Sequence, residues 1–260
     1  MGGTALISDM HGNAAALRAV LADIKDKGAD RIVCLGDVVG YGPEPLECID
    51  LVAEHCEWTL LGNHDYAVLY EPTNFNPAAE SSSYWTRAQL DNESDVEKRS
   101  ARYRFLGHLR VRYVDPKLGN GKPVLAVHGS PRRPVNEYIF PDDAIHAVDK
   151  MRNIFDLVDG YAVVGHSHVP GVFTNEPEFY PPDEVGEGKV YKFIEGEKAV
   201  INVGAVGQPR DHDPRASYAI MYEDRVQFHR VEYNIDETAE KIRRIPELSN
   251  WLADRLYEGR

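Results

Sequence analysis

The chain has 260 residues, of which 43% are hydrophobic and 27% charged, and this composition is typical of a globular protein with a sizeable core. Its 42 acidic and 29 basic residues give a net charge of −13, which excludes extended nucleic acid and anionic membranes as partners of the surface as a whole. Three cysteines without a repeated spacing, and no segment of membrane-spanning length, predict a cytoplasmic protein.

The first quarter of the chain alternates short apolar runs with amphipathic helical patterns. Apolar residues recur at helical spacing after Asn13, which can cap a helix, and Gly28 can end it. The predicted elements are strand Thr4–Ser8, helix Ala14–Lys27, strand Arg31–Leu35, helix Pro45–Cys56 and strand Trp58–Leu61. This alternation predicts a parallel sheet with crossover helices.

Residues 71–121 contain prolines, a serine run and a charged tract, and we predict a largely helical insertion that lies over the sheet. Such an insertion can shape access to a site, or it can be a solvated surface without a role in the chemistry. Residues 1–260 are therefore predicted to form a single domain with this insertion.

The second half returns to strands, with one helix between them. We predict strands at Pro123–Val127 and Tyr161–Val164 and a helix at Asp142–Val158. Five further short segments predict an antiparallel meander or a second sheet: Val172–Thr174, Lys189–Ile194, Ala199–Val203, Ala216–Tyr222 and Val226–Glu232. A charged helix over Asp236–Tyr257 is predicted to close the chain.

Five apolar segments end in polar side chains of the kinds that bind metals: Leu6–Asn13, Ile32–Pro43, Leu60–Asp65, Pro123–Pro131 and Tyr161–Pro170. The carboxyl ends of strands are where open α/β sheets bind ligands. The candidate donors in these segments are Asp9, His11, Asp37, Asn63, His128, His166 and His168.

Seven donors match two metal ions that share one bridging ligand, and the carboxylate of Asp37 is the natural bridge. Asp9 and His11 are separated by one residue, as are His166 and His168, so on extended backbone each pair would project to one side. A structural zinc site is the competing interpretation. The set contains no cysteine and mixes in oxygen ligands, which favours a catalytic site with open positions.

The ordered motifs Asp-x-His, Gly-Asp-x-x-Gly, Gly-Asn-His-Asp, His-Gly and Gly-His-x-His resemble those of the calcineurin-like metallophosphoesterase superfamily, from Ser8 to about Arg215. The resemblance implies an α/β fold of four layers, in which two mixed β-sheets are sandwiched between helices. It also implies that one metal binds Asp9, His11, Asp37 and His168, and that the other binds Asp37, Asn63, His128 and His166. His64 matches the catalytic histidine, which contacts the phosphate and the leaving group.

The sequence departs from the protein phosphatases of this superfamily at one motif. Those enzymes have Gly-Asp-x-x-Asp-Arg-Gly, whereas Gly40 and Tyr41 stand here in place of the Asp and Arg. The chain is more similar to the prokaryotic phosphodiesterase-type branch. The predicted function is a phosphodiesterase with a metal-bridging water or hydroxide as nucleophile. A phosphoprotein phosphatase or dinucleotide polyphosphate hydrolase is the alternative, and a non-catalytic scaffold on the same fold is a further one.

Histidine and carboxylate donors suit Mn, Fe, Zn or Co better than Ca or Mg, so the predicted cofactors are two divalent or transition metal ions. The predicted substrate is a phosphorylated small molecule or a nucleotide-type compound. Arg132 and Arg133, which closely follow His128, and also Arg210, are the candidate residues that bind its phosphate.

Overall fold

A computed structural model describes residues 2–119, 123–176 and 178–260, and in it two mixed β-sheets pack face to face. The strands in these ranges are β1 (Thr4–Ile7), β2 (Arg31–Cys34), β3 (Arg112–Asp115), β4 (Val124–Val127), β5 (Tyr161–Val164), β6 (Gly171–Thr174), β7 (Glu178–Tyr180), β8 (Val190–Lys192), β9 (Ala199–Asn202), β10 (Ala216–Met221) and β11 (Arg225–Val231). One sheet has the order β2-β1-β10-β11-β8 and the other β3-β4-β5-β9-β6-β7.

Helices cover the outer faces of both sheets. They are α1 (Ala14–Lys27), α2 (Pro45–His55), α3 (Asn63–Leu69), α4 (Pro77–Asp91), α5 (Val96–Gly107), α6 (Asp143–His146), α7 (Val148–Phe155), α8 (Ile235–Arg243) and α9 (Asn250–Glu258). Within the described ranges, no helix is both long enough and apolar enough to cross a membrane.

The period-two alternation of the strands creates the layers. In β1, Ala5 and Ile7 pack against the helices on one side, while Leu6 points between the sheets. In β4, Ala126 likewise faces the other sheet, and Val127 packs under α7. The predicted four-layer architecture is therefore confirmed.

The first quarter of the chain follows the prediction closely. Helix α1 has the predicted bounds, Asn13 accepts the N–H of Ala16 at 3.1 Å, and Gly28 ends the helix in the left-handed conformation. The predicted strand Trp58–Leu61 is wrong as a strand, because only Thr59 and Leu60 form isolated bridges, to Cys34 and Arg110.

The second half is not one meander or one additional sheet. Strand β9 is inserted between β5 and β6 and runs parallel to β5, while β10 and β11 join β1 in the other sheet. The error has a physical cause, because strand pairing depends on contacts distant in the sequence, whereas the alternation of each segment is local.

Residues 71–119 contain helices α4 and α5, but β3 adds an edge strand to the second sheet beside β4. This part of the segment lies within a sheet and not over one. Asn120 and Gly121, the last two residues of the predicted insertion, lie outside the described residues. The division into a single domain with an insertion stays a prediction.

Two predicted helices are each divided in two. The helix over 142–158 breaks at Ala147, where φ is −132° and ψ is 47°. The closing helix ends at Arg243 and resumes at Asn250, with Pro246 in the connection. Proline lacks the N–H that a helix interior requires, so this break follows from the sequence.

Candidate metal centre and active site

The seven predicted donors lie together where β1, β2, β4 and β5 end and α3 begins. All seven are buried, and the structure brings together every metal ligand that the sequence predicted. Pairing of β1 with β2 and of β4 with β5 is parallel, so the carboxyl ends of the two strands in each pair meet at one edge. The face-to-face sheets then bring these two edges to one place.

One half of the cluster contains Asp9, His11 and His168. The Nε2 atoms of His11 and His168 are 3.1 Å apart, and Asp9 Oδ1 is 3.7 Å from the first and 3.2 Å from the second. Two nitrogens that bind one ion at right angles, each at about 2.0–2.1 Å, are about 3 Å apart. The spacing therefore fits a shared cation.

The other half contains His128, His166 and Asn63. His128 Nε2 is 3.2 Å from Asn63 Oδ1, and the His128 and His166 rings are 4.9 Å apart between centroids. Asp37 lies between the halves, because its Oδ2 is 3.6 Å from His11 Nε2 and 3.3 Å from His128 Nε2. Asp37 is thus the central carboxylate of the cluster.

The donors do not project from extended backbone, so that part of the prediction is wrong. The strands end before the motifs, and five donors have left-handed backbone with φ between 48° and 67°: Asp9, His11, Asp37, His166 and His168. Such residues cost of order 1–3 kcal/mol each and persist only where surrounding contacts hold them. Here the N–H groups of Asp9 and His11 donate to the carbonyls of Gly36 and Asp37, each at 3.0 Å.

Three of the histidines are oriented by main-chain carbonyls. Their Nδ1 atoms donate to Val39 O (3.2 Å, from His11), Leu35 O (2.9 Å, from His128) and Gln208 O (2.5 Å, from His168). A carbonyl only accepts, so Nδ1 carries the hydrogen and Nε2 points into the cluster. Metal-binding histidines are commonly held in this way.

The donor chemistry fits cations at this place. The Oδ1 of Asp9 and the Nε2 of His166 are buried without a hydrogen-bond partner, which is costly unless something else satisfies them. Burial lowers the pKa of His11 well below its usual range and that of His166 to about 3, so their rings are neutral and can bind metal.

His128 responds differently because it faces a carboxylate. Burial lowers its pKa, but the Asp37 carboxylate at 3.3 Å outweighs burial and raises the pKa to about 9. In the metal-free chain a proton therefore occupies Nε2, and a cation at this position would replace it. Metal binding to this half should release a proton.

His64, the predicted catalytic histidine, lies at the second position of α3 and faces the cluster. Its backbone N–H donates to Asp37 Oδ1 at 2.8 Å, and its ring packs on Tyr41, His11 and Phe75 with centroids 4.3, 4.8 and 4.6 Å away. Its Nδ1 is buried without a partner, and burial lowers its pKa to about 4. The ring is therefore neutral near pH 7.

Asp65 has a structural role that the sequence prediction missed. Its carboxylate accepts four backbone N–H groups, from Asp37 (2.8 Å), Val38 (2.9 Å), Val39 (3.2 Å) and Gly62 (3.0 Å). It thereby joins the loop after β2 to the start of α3. Its place in the Gly-Asn-His-Asp motif could have indicated importance but not this role.

Asn202 was likewise only part of a motif and was given no role. Its Nδ2 donates to Gly165 O and Ser167 Oγ, both at 2.8 Å, and its Oδ1 accepts the N–H of Gly204 at 2.9 Å. These bonds fix the loop that carries His166 and His168. No local feature of the sequence indicates which loop Asn202 contacts.

The three candidate arginines differ in position. Arg132 forms an ion pair with Glu137 at 2.6 Å and does not line the cleft over the cluster. Arg133 does line this cleft. Arg210 lies against the cluster, since its N–H donates to His168 O at 3.2 Å and its guanidinium carbon is 5.9 Å from the centre of the Tyr41 ring.

An open cleft of about 590 Å³ leads to the cluster. Tyr138 stacks on His166 with centroids 3.8 Å apart, and Phe75 packs on His64. The other lining residues are Asn63, Thr73, Asn74, Arg133, Pro134, Val135 and Asn136. The cleft therefore combines aromatic walls with a floor of metal-type donors.

Comparison with known proteins agrees with this geometry. Residues 4–170 match the family model described as calcineurin-like phosphoesterase. The chain is 40% identical to the uncharacterized protein MJ0912 of Methanocaldococcus jannaschii over 263 aligned positions, which cover 98% of each chain.

Two solved structures have the same fold over their full length. A metallophosphoesterase from Sphaerobacter thermophilus is 39% identical with a TM-score of 0.80, and the match covers 100% of this chain and 99% of that one. The hypothetical protein PH1004 from Pyrococcus horikoshii OT3 is 21% identical with a TM-score of 0.74 and the same coverage. The second likeness concerns the fold alone.

Proposed function

Because this chain belongs to the calcineurin-like phosphoesterase family, we propose that it is a two-metal phosphodiesterase. The observation that carries the proposal is the position of Asp37 between two sets of donors, 3.6 Å from His11 and 3.3 Å from His128. One ion would be held by Asp9, His11, Asp37 and His168, and the other by Asp37, Asn63, His128 and His166. The whole of 1–260 is proposed to act as one domain around this site.

Two such cations supply a water of lowered pKa, from about 15.7 toward 7, and neutralise charge that develops on the phosphoryl oxygens. The chain itself contributes the remaining functions. A neutral His64 ring donates one hydrogen bond to a phosphoryl oxygen or to the departing oxygen of the ester. Arg210 adds a guanidinium on the same side as Tyr41.

Preference for a diester is supported by the loop after β2. Gly40 lies directly against His64, because a Cβ at Gly40 would overlap the His64 ring. Tyr41 is packed between the rings of His64 and His11. This loop thus presents an aromatic ring where the protein phosphatases of the superfamily have an Asp-Arg pair, and it lacks the charge that would favour the dianion of a phosphomonoester.

The test is a comparison of substrates with each metal. We expect purified protein reconstituted with Mn, Fe, Zn or Co to hydrolyse bis-p-nitrophenyl phosphate at least as fast as p-nitrophenyl phosphate. Strong preference for the monoester together with activity on phosphopeptides would favour a phosphoprotein phosphatase. Selective cleavage of dinucleotide polyphosphates would favour that hydrolase class, and inactivity with every metal would favour a scaffold.

A further inference from the structure

A second arginine, which the sequence gave no reason to select, lies beside the metal-ligand cluster. Arg255 belongs to α9, and its neighbours Leu252 and Leu256 pack in one apolar cluster with Tyr41. Tyr41 in turn contacts the rings of His11 and His64. Helix α9 therefore packs behind the loop that borders the site.

Arg255 and Arg210 are brought together by the end of this helix. The N–H of His212 donates to Gly259 O at 2.9 Å, which fastens the loop after Arg210 to the residue that ends α9. Gly259 also packs directly on the main chain of Asp213. Arg255 lies one turn before Gly259, on the helix whose apolar face contacts Tyr41, the ring over which the Arg210 guanidinium lies.

Neither guanidinium is neutralised by a carboxylate. Across 2–119, 123–176 and 178–260, no Asp or Glu side chain forms an ion pair with Arg210 or Arg255. Arg210 donates to Gln208 Oε1 at 3.0 Å, and its Nε is buried without a partner. Burial, and then the positive charge of Arg210, lower the pKa of Arg255 to about 10. Two uncompensated cations in one place favour an anion between them.

We infer that Arg210 and Arg255 form a second anion subsite beside the metal-ligand cluster, and that the substrate carries a second phosphoryl group next to the scissile phosphate. This inference rests on the proposed phosphoesterase function and specifies its substrate class as esters of diphosphate or of vicinal phosphates. The competing explanation is that Arg255 is only structural, because its guanidinium carbon lies 4.3 Å from the centre of the Trp251 ring and its Nε donates to the main-chain oxygen of Arg260.

Competitive inhibition separates the two explanations. With bis-p-nitrophenyl phosphate as substrate and free Mn²⁺ held constant, we expect methylenediphosphonate to bind the wild type at least about tenfold more tightly than orthophosphate. Arg255→Gln should weaken methylenediphosphonate about tenfold and orthophosphate much less, and Arg255→Lys should lose less than Arg255→Gln. Equal weakening of both inhibitors, or of neither, would overturn the subsite.

The matched control is Arg244→Gln, an exposed arginine at the end of α8 that pairs with Glu240. It should leave both inhibition constants unchanged. Thermal denaturation of each variant identifies loss of folding, and Arg255→Lys keeps the charge should Arg255→Gln prove unstable.

A second readout does not depend on activity. Trp251 lies against Arg255, so an anion that binds Arg255 should change the part of the tryptophan fluorescence that Trp251→Phe removes. We expect methylenediphosphonate to change it at lower concentration than orthophosphate. If the wild type hydrolyses no phosphodiester but this titration still discriminates the two anions, the proposed function fails while the subsite stands. Hydrolysis without discrimination would overturn the subsite alone.

Discussion

The loops that carry the candidate ligands and the helices α4 and α5 are held in place by different forces. The loops depend on buried carboxylate and amide groups that accept or donate several main-chain hydrogen bonds each, as Asp65 and Asn202 do. Helix α5 is instead fastened by Arg102, which pairs with Asp50 at 2.7 Å and Glu93 at 2.5 Å, and both acids are partly exposed.

The difference teaches where small changes should matter. A buried polar group that loses its partner costs about 1–3 kcal/mol and also moves the atoms it holds, whereas an exposed ion pair contributes about 0–1 kcal/mol. The two regions are nevertheless connected. Arg87 of α4 donates to the carbonyls of Ala67 and Val68 at the end of α3, the helix that carries His64. The following predictions test the contrast.

The largest expected effect is that of Asp37→Asn. Asp37 is the one residue assigned to both cations, so this variant should bind both metals weakly and lose activity by about 10³-fold or more. His11→Ala should weaken chiefly one site. Metal content by plasma emission spectroscopy decides, and full occupancy of both sites in Asp37→Asn would contradict the bridging role. Asp95→Asn is the control in α5, because asparagine caps a helix as well as aspartate.

His64→Ala should come next. The ring faces the cluster without belonging to the seven assigned ligands, so the variant should keep both metals and its thermal midpoint but lose about 10²–10⁴-fold in kcat. The exposed His108, directly after α5, gives the matched control His108→Ala, which should retain wild-type turnover. Near wild-type turnover by fully metallated His64→Ala would show that the assigned role is wrong.

Gly40→Ala should have an intermediate effect. Gly40 has a φ of 91°, which strains any residue with a Cβ, and the added methyl would overlap His64. We expect a loss of about 1–3 kcal/mol in the free energy of unfolding, together with reduced kcat. Gly107→Ala, at the end of α5, meets no atom within 4 Å and should change stability by less than about 1 kcal/mol. Chemical denaturation of the pair provides the measurement, and equal losses would refute the contrast.

Arg102→Met should have the smallest effect, a loss of about 1 kcal/mol in the free energy of unfolding with activity unchanged. Hydrogen bonds from the Asp95 N–H and from Arg102 lower the pKa of Glu93. A depressed carboxyl pKa contributes stability above the usual glutamate pKa that is lost as pH falls through the depressed value. The difference between wild type and variant, measured by urea denaturation, should therefore shrink on acidification and in high salt. A difference independent of pH would count against the ion pair.

Much of the fold and most of the candidate site followed from the sequence because the relevant signals are local. Helix α1 was recognisable from its spacing and from the residues that cap it, Asn13 and Gly28. The donors were recognisable because each follows directly after a buried strand, as Asp9 follows β1 and His128 follows β4. Composition and motif order were sufficient to predict the family.

Tertiary structure decided what depends on distant partners. The insertion of β9 beside β5, and the strand β3 within the excursion, follow from pairing that no local pattern encodes. The left-handed backbone at five donors is a strained conformation that hydrogen bonds from other segments maintain, so sequence periodicity suggested extended chain instead. For the same reason Arg255, separated from the last metal ligand by most of the C-terminal segment, became a candidate only when α9 packed against Tyr41.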